Sequence, residues 1–128
     1  MRNSVNILVK DAKGKLLLQM IDSKPACAPL TWDFWGGGLE EEEEALMAAS
    51  RELSEELTLK TQPSDFKFLV EGSDSKGRVY FVEYLKPLAW KDILLAEGAG
   101  AAFFTPEEVL KINSTDRVEW FMKTQNNE

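Results

Sequence analysis

Apolar positions in this chain fall into short clusters whose period changes along its length. Val5 to Val9 and Leu16 to Ile21 are apolar runs separated by DAKGK, where Asp11 and Gly14 supply turn chemistry. That pattern predicts a strand, a tight turn and a second strand. Asp22 to Leu30, with Pro25 and Pro29, reads as a loop, and Trp32 to Trp35 as a short strand. Gly36 to Gly38 follow as a glycine turn, open to backbone conformations that other residues avoid and to close approach by a ligand. From about Glu43 to Leu57 the period becomes helical, with Leu46, Ser50, Leu53 and Leu57 on one stripe.

The second half repeats the alternation of strand and helix. Phe66 to Val70 and Val79 to Tyr84 read as strands joined by GSDSKGR, with Gly72 and Gly77 as breakers. Leu88 to Leu95 fits a loop or a helical turn. Ala101 to Phe104 is expected to be a strand. Thr105-Pro106-Glu107-Glu108 carries the marks of a helix start: a capping threonine, proline at the first helical position and a glutamate to close the box. Asp116 to Lys123 then predicts an amphipathic helix docking Val118 and Phe121. No repeat or linker interrupts the pattern, so residues 1–128 are expected to form one mixed α/β domain.

Composition narrows the function classes. A net charge of −7 disfavours binding to a nucleic-acid polymer, which needs a basic patch. An anionic small substrate would have to be drawn in by metal ions or by local lysines and arginines. The chain has no histidine and a single cysteine, Cys27, so neither an intramolecular disulfide nor a zinc site is expected. A nucleophilic Cys27 would also lack a histidine to activate it. No stretch approaches the roughly 18 apolar residues of a membrane span, and the N-terminus lacks a signal-peptide core. The expectation is a soluble cytoplasmic protein without a membrane partner, as monomer or homodimer.

The chemistry is concentrated in GGLEEEEEALMAASRELSEELTL, Gly37 to Leu59. With Glu52 set at zero, Glu55 and Glu56 fall at roughly 300° and 40° around a helix, so three carboxylates share an arc of about 100°. Arg51 borders that arc. Like charges so placed repel, and hard oxygen ligands on one rigid face suit Mg²⁺ or Mn²⁺. Ala45 and Ala48 point to the same side, where small residues leave room for a ligand. The acidic run Glu40 to Glu44 taken alone reads as a solvated face.

This segment resembles the Nudix box: a glycine, five residues, a glutamate, seven residues, then arginine-glutamate-aliphatic-any-glutamate-glutamate-any-glycine-aliphatic. Gly37, Glu43, Arg51, Glu52, Leu53, Glu55, Glu56 and Leu59 fill its slots, while Thr58 stands where the family has glycine. WDFWGGGLE is similar to the family's strand into the glycine turn, with Trp35 where proline is common. LAEGAGAAFFTPEEV is similar to a later segment in which many members carry a loop glutamate, here Glu97.

The resemblance implies a Nudix α/β/α sandwich with a mixed central sheet, in a small MutT-like member. It implies hydrolysis of a nucleoside diphosphate linked to another group, foremost a nucleoside triphosphate, noncanonical or oxidised ones included, to monophosphate and pyrophosphate. A nucleotide sugar or similar derivative as substrate, or a nucleotide-binding module without turnover, are the alternatives. Carried over by position, Glu52, Glu55 and Glu56 would be ligands of Mg²⁺ or Mn²⁺, with the Gly36 carbonyl a further one. Arg51 would orient these carboxylates, and Glu43 would brace the loop–helix junction. Glu97 is the candidate for another ligand or the general base, which without histidine must be a carboxylate, a lysine or metal-bound hydroxide. Gly37 and Gly38 would contact substrate. Trp35 would be either core or a wall of the substrate pocket.

Overall fold

The strand pattern resolves into two sheets rather than one. A computed structural model of the chain describes residues 2–21, 31–95 and 100–126. The loop Asp22 to Leu30, with Cys27, and the candidate Glu97 lie outside the described residues.

β1 (Ser4–Leu8) and β2 (Leu16–Ile21) form as expected, and Asp11 makes the turn between them, its Oδ1 accepting from the N–H groups of Lys13 and Lys15 at 2.9 Å. The two strands enter different sheets. β1 lies in a mixed sheet of order β4-β1-β6-β5, parallel to β6 (Gly77–Tyr84) and antiparallel to β4 (Trp35–Gly38). β5 (Phe66–Asp74) closes that sheet against β6. β2 is the centre of an antiparallel sheet, between β3 (Thr31–Asp33) and β7 (Gly100–Phe104).

Alternation along β1 assigns the two faces of the mixed sheet. Val5 and Ile7 point to α1 (Ala45–Leu57) and pack with Trp35, Ala49, Leu53 and Leu57. Leu8 points the other way, into a cluster with Phe34, Phe81, Val118 and Phe121, the last two from α3 (Asp116–Asn126). Helices thus flank the sheet on both sides, the sandwich that the resemblance implies. Leu53 and Leu57 are wholly buried, and each such leucine contributes about 1.5–3 kcal/mol through area removed from water. α2 (Pro106–Val109) starts at the expected capping box: Glu108 N–H donates to Thr105 Oγ1 at 3.1 Å, and Thr105 N–H to Glu108 Oε1 at 2.7 Å.

Several expectations are corrected. Trp32 to Trp35 is not one strand: the chain leaves the three-stranded sheet at Asp33, whose carboxylate accepts the Phe34 N–H at 2.8 Å, and joins the mixed sheet at Trp35. Gly36 to Gly38 are strand residues paired with β1, not a turn. The box helix starts at Ala45, because Glu40 to Glu43 form a turn in which Glu42 has φ 63°. On that helix the buried stripe is Ala48, Ala49, Leu53 and Leu57, so Ser50 is not core; its hydroxyl meets Thr61 Oγ1 at 2.8 Å. The GSDSKGR connection is mostly strand, since β5 and β6 continue to a Ser75–Lys76 tip. There the Asp74 carboxylate accepts from the N–H groups of Lys76 and Gly77. Within Leu88 to Leu95 lies one 3₁₀ turn, Trp90–Asp92.

Candidate functional site

α1 presents its polar face to β4, and a single arginine organises the junction. Arg51 grips Glu43 with two bonds, Nε to Oε2 at 2.9 Å and Nη2 to Oε1 at 2.8 Å. Its Nη1 reaches Glu52 at 3.1 Å and Glu55 at 2.9 Å, and Nη2 also donates to the Gly38 carbonyl at 3.1 Å. A planar fork of five donors can serve this many acceptors, where a lysine ammonium could not. Glu43 in turn accepts the Glu40 N–H at 2.9 Å, which fixes the acidic turn to the helix. The rest of the run is solvated as expected, with Glu40, Glu41, Glu42 and Glu44 exposed.

Charge states follow from these contacts. The hydrogen bonds from Arg51 hold the Glu43 carboxyl below its ordinary range, and Glu43 in turn holds the guanidinium protonated well above its own. Glu52 moves the opposite way. Burial pushes its carboxyl up, against the pull of Arg51, because its side chain is only 13% exposed.

The glycines of β4 shape the same wall. Gly36 has φ 137°, and a Cβ there would strike the Val5 carbonyl, so only glycine brings β4 this close to β1. Its N–H donates to Glu56 Oε1 at 2.9 Å, which ties β4 to the glutamate face of α1. At Gly37 a Cβ would come within 2.5 Å of Glu52 Oε1, so the carboxylate occupies the space that the missing side chain leaves. Arg2 lies over Gly38 in the same way and donates to the Leu39 carbonyl at 3.0 Å.

The structure decides between the two readings of Trp35 and overturns the ligand room expected at Ala45 and Ala48. Trp35 is fully buried with its indole N–H on the Leu17 carbonyl at 2.9 Å, so it is core and walls no pocket. Ala48 is fully buried and Ala45 packs against the same core, so neither leaves room for a ligand. Thr58 does take the left-handed conformation of the family's glycine, at φ 58° and ψ 38°, and its hydroxyl donates to the Leu94 carbonyl at 2.9 Å.

Across β4 from the glutamates lies a cleft of about 280 Å³. Asn6, Gln19, Asp33, Lys76 and Arg117 line it, together with Gly36 to Gly38. Asp33, nearly buried, accepts from Arg117 Nη2 at 2.6 Å and from the Thr115 hydroxyl at 2.8 Å. Asn6, Asp33 and Arg117 had not been singled out from the sequence. The one signal was the lone amide in the apolar run VNILV. A wider depression of about 650 Å³ lies over the acidic turn, but its lining of Glu40 to Glu43 repels an anionic ligand.

Residues 1–123 match the family model of the NUDIX domain. The chain belongs to the Nudix family. Nudix hydrolases act on nucleoside diphosphate derivatives. No curated protein matches the chain. Among solved structures, the MutT protein of Methanosarcina mazei is similar at 20% identity and TM-score 0.70, covering 99% of this chain and 96% of its own. The E. coli ORF135 protein is similar at 21% identity and TM-score 0.76, covering 98% and 91%. The E. coli dihydroneopterin triphosphate pyrophosphohydrolase is similar at 15% identity and TM-score 0.66, covering 95% and 92%. At these identities they show the shared fold.

Nudix hydrolases generally use divalent ions such as Mg²⁺ or Mn²⁺. The donor chemistry fits, since Glu52, Glu55 and Glu56 offer hard carboxylate oxygens on one helix face beside the space at Gly37. Among the described residues no three such side chains are arranged as a ready metal-ligand set; Arg51 engages Glu52 and Glu55, and the Gly36 N–H engages Glu56. Among those residues, too, no helix is long and apolar enough to cross a membrane.

Proposed function

We propose that the chain hydrolyses a nucleoside triphosphate to the monophosphate and pyrophosphate, with Glu52, Glu55 and Glu56 holding Mg²⁺ or Mn²⁺. The observation that carries this reading is the position of β4. One strand of three glycines separates the glutamate cluster from the cleft, touching both. A substrate lying across Gly36 to Gly38 would put its organic end in the cleft and its phosphates beside the carboxylates.

Arg2, Lys76 and Arg117 line the cleft, which gives an anionic substrate a local positive field on a protein of net charge −7. A bound divalent ion supplies neutralisation of phosphoryl charge and a lowered pKa for the attacking water. Arg51 keeps Glu52 and Glu55 oriented toward β4, and Glu43 keeps Arg51 in place. Glu97 enters as base or ligand on its sequence position alone. The triphosphate is favoured over a nucleotide sugar by the relative whose name states a triphosphate substrate.

The test is a hydrolysis panel of nucleoside triphosphates and nucleotide sugars with Mg²⁺, read as pyrophosphate and phosphate release. Pyrophosphate from at least one triphosphate, abolished by excess chelator, is expected. Turnover confined to nucleotide sugars would overturn the substrate, and turnover undiminished in chelator would overturn the metal role.

A further inference from the structure

Asn6 is 5% exposed, and its Nδ2 is the buried side-chain polar atom that lacks a hydrogen-bond partner among the described residues. It sits on the β1 face shared with Leu8, opposite Gly36 on one side and Phe81 on the other. An apolar side chain there would simply extend the second core. An amide that finds no partner in the free protein is destabilising, unless something that enters the adjoining cleft accepts from it.

The other polar groups of the cleft decide what that something must offer. Asp33 is an acceptor, but it is already taken by the Phe34 N–H, the Thr115 hydroxyl and Arg117. Asp74 Oδ1 is taken by the N–H groups of Lys76 and Gly77 at the hairpin tip. Gln19 spends its amide nitrogen on the Phe34 carbonyl at 2.8 Å. Asp33 and Asp74 Oδ1 are therefore used to hold the cleft together, and the Gln19 amide oxygen remains as an acceptor on the wall. Donors on the wall are the Asn6 amide nitrogen, the Arg117 guanidinium and the Lys76 ammonium, and of these the Asn6 nitrogen is the one left without a partner among the described residues.

We infer that Asn6 is a specificity residue of this site, whose Nδ2 donates to a keto oxygen of the substrate's base, so that the cleft takes keto bases in preference to amino bases. This deepens the nucleotide reading and rests on it. An amino group at the ring position that the keto oxygen would take meets Nδ2 donor to donor and leaves both unpaired there, which is the situation in which polar sites discriminate most strongly.

Equilibrium binding of matched monophosphates tests this without turnover: inosine against adenosine monophosphate, and uridine against cytidine monophosphate, each pair differing in keto against amino at one ring carbon and in the proton on the neighbouring ring nitrogen. By titration calorimetry the keto member of each pair should bind at least about tenfold more tightly to the wild type. In Asn6→Leu the ratio should fall to about one, while the melting temperature holds or rises, since a partnerless amide gives way to a core leucine. Equal binding of both members, no binding of any of the four, or a ratio unchanged in Asn6→Leu would overturn the inference. So would a clear loss of stability in Asn6→Leu, which would mean that the amide is already satisfied in the free protein. Keto selectivity without hydrolysis of any triphosphate would instead overturn the triphosphate reading and leave this one standing.

Discussion

Arg51 brings Glu43, Glu52 and Glu55 onto one guanidinium, yet the two best-buried of these carboxylates are perturbed in opposite directions. Glu43 has its folded pKa lowered by the bonds from Arg51, so its contribution to stability is complete above the ordinary carboxylate value of 4.5 and is lost as pH falls through the lowered value. Glu52 has its folded pKa raised by burial, so the folded state binds the proton more readily. Its charged form therefore weakens the fold, and stability declines as pH rises through the raised value. Glu43→Gln should accordingly lower the melting temperature at pH 7 and flatten the acid limb, while Glu52→Gln should hold or raise it. Melting curves between about pH 3 and pH 8 check both. A matching loss in the two variants would show that Glu52 is held as firmly as Glu43. Such a carboxylate, disfavoured in the free protein, is the kind of group that a bound cation would stabilise.

At the scale of the element, α1 ends where a family glycine is replaced by a β-branched residue. Left-handed backbone costs a residue such as Thr58 about 1–2 kcal/mol. The hydroxyl bond to Leu94 returns about 0.5–1.5 kcal/mol, and the N–H of Leu59 on the Leu53 carbonyl at 3.3 Å closes the helix end as a glycine cap would. Thr58→Gly loses the bond but relieves the strain, so its stability should stay within about 1 kcal/mol of the wild type. Thr58→Ala keeps the strain and loses the bond, and should be the less stable of the two by urea denaturation. The reverse order would mean that the cap holds no strain. The helix also shows why ligand room could not be judged from residue size. Ala48 is small because it shares a packed core with Val5 and Ile7 of the sheet, where a larger side chain would overpack.

For the whole molecule, the decisive contact joins β3 to the start of α3 across more than eighty positions: Asp33 to Thr115 and Arg117. The backbone reinforces it, with Trp32 N–H on the Asn113 carbonyl at 2.9 Å and Thr115 N–H on the Trp32 carbonyl at 3.0 Å. This pinning sets one end of the cleft. Arg117→Met would leave the nearly buried Asp33 carboxylate without its counter-charge, and should cost about 2–4 kcal/mol, somewhat under the range for a fully buried pair since Arg117 is partly exposed. Arg117→Met combined with Asp33→Asn should cost less than the sum of the two single changes, because the second removes the stranded charge. A double-mutant cycle by urea denaturation reads the coupling directly. Strict additivity would show the pair to be energetically idle.

What the sequence determined by itself was local. The period of the apolar residues set β1, β2, β6, β7, α1 and α3 to within a few positions. The turn chemistry of Asp11 and the box at Thr105 followed from single side chains acting on their own backbone. The Arg51-to-Glu56 spacing was equally legible, because helix geometry alone puts Arg51 beside Glu55; the left-handed exit at Thr58 was not, since that conformation is costly for a β-branched residue and only the folded helix end shows it taken. Sheet membership was not legible. Trp32 to Trp35 are rich enough in aromatic residues to read as one strand, and only in the fold is Phe34, packed on Phe81 and Phe121, seen between the end of one strand at Asp33 and the start of another at Trp35. Nor could the sequence tell that Trp35 is core or that Gly37 makes room for Glu52, since both depend on which strand lies against which helix. The cleft is the fullest case. Asn6, Asp33 and Arg117 lie far apart in the chain and match no spacing rule, and only the folded sheets decide that they share one wall.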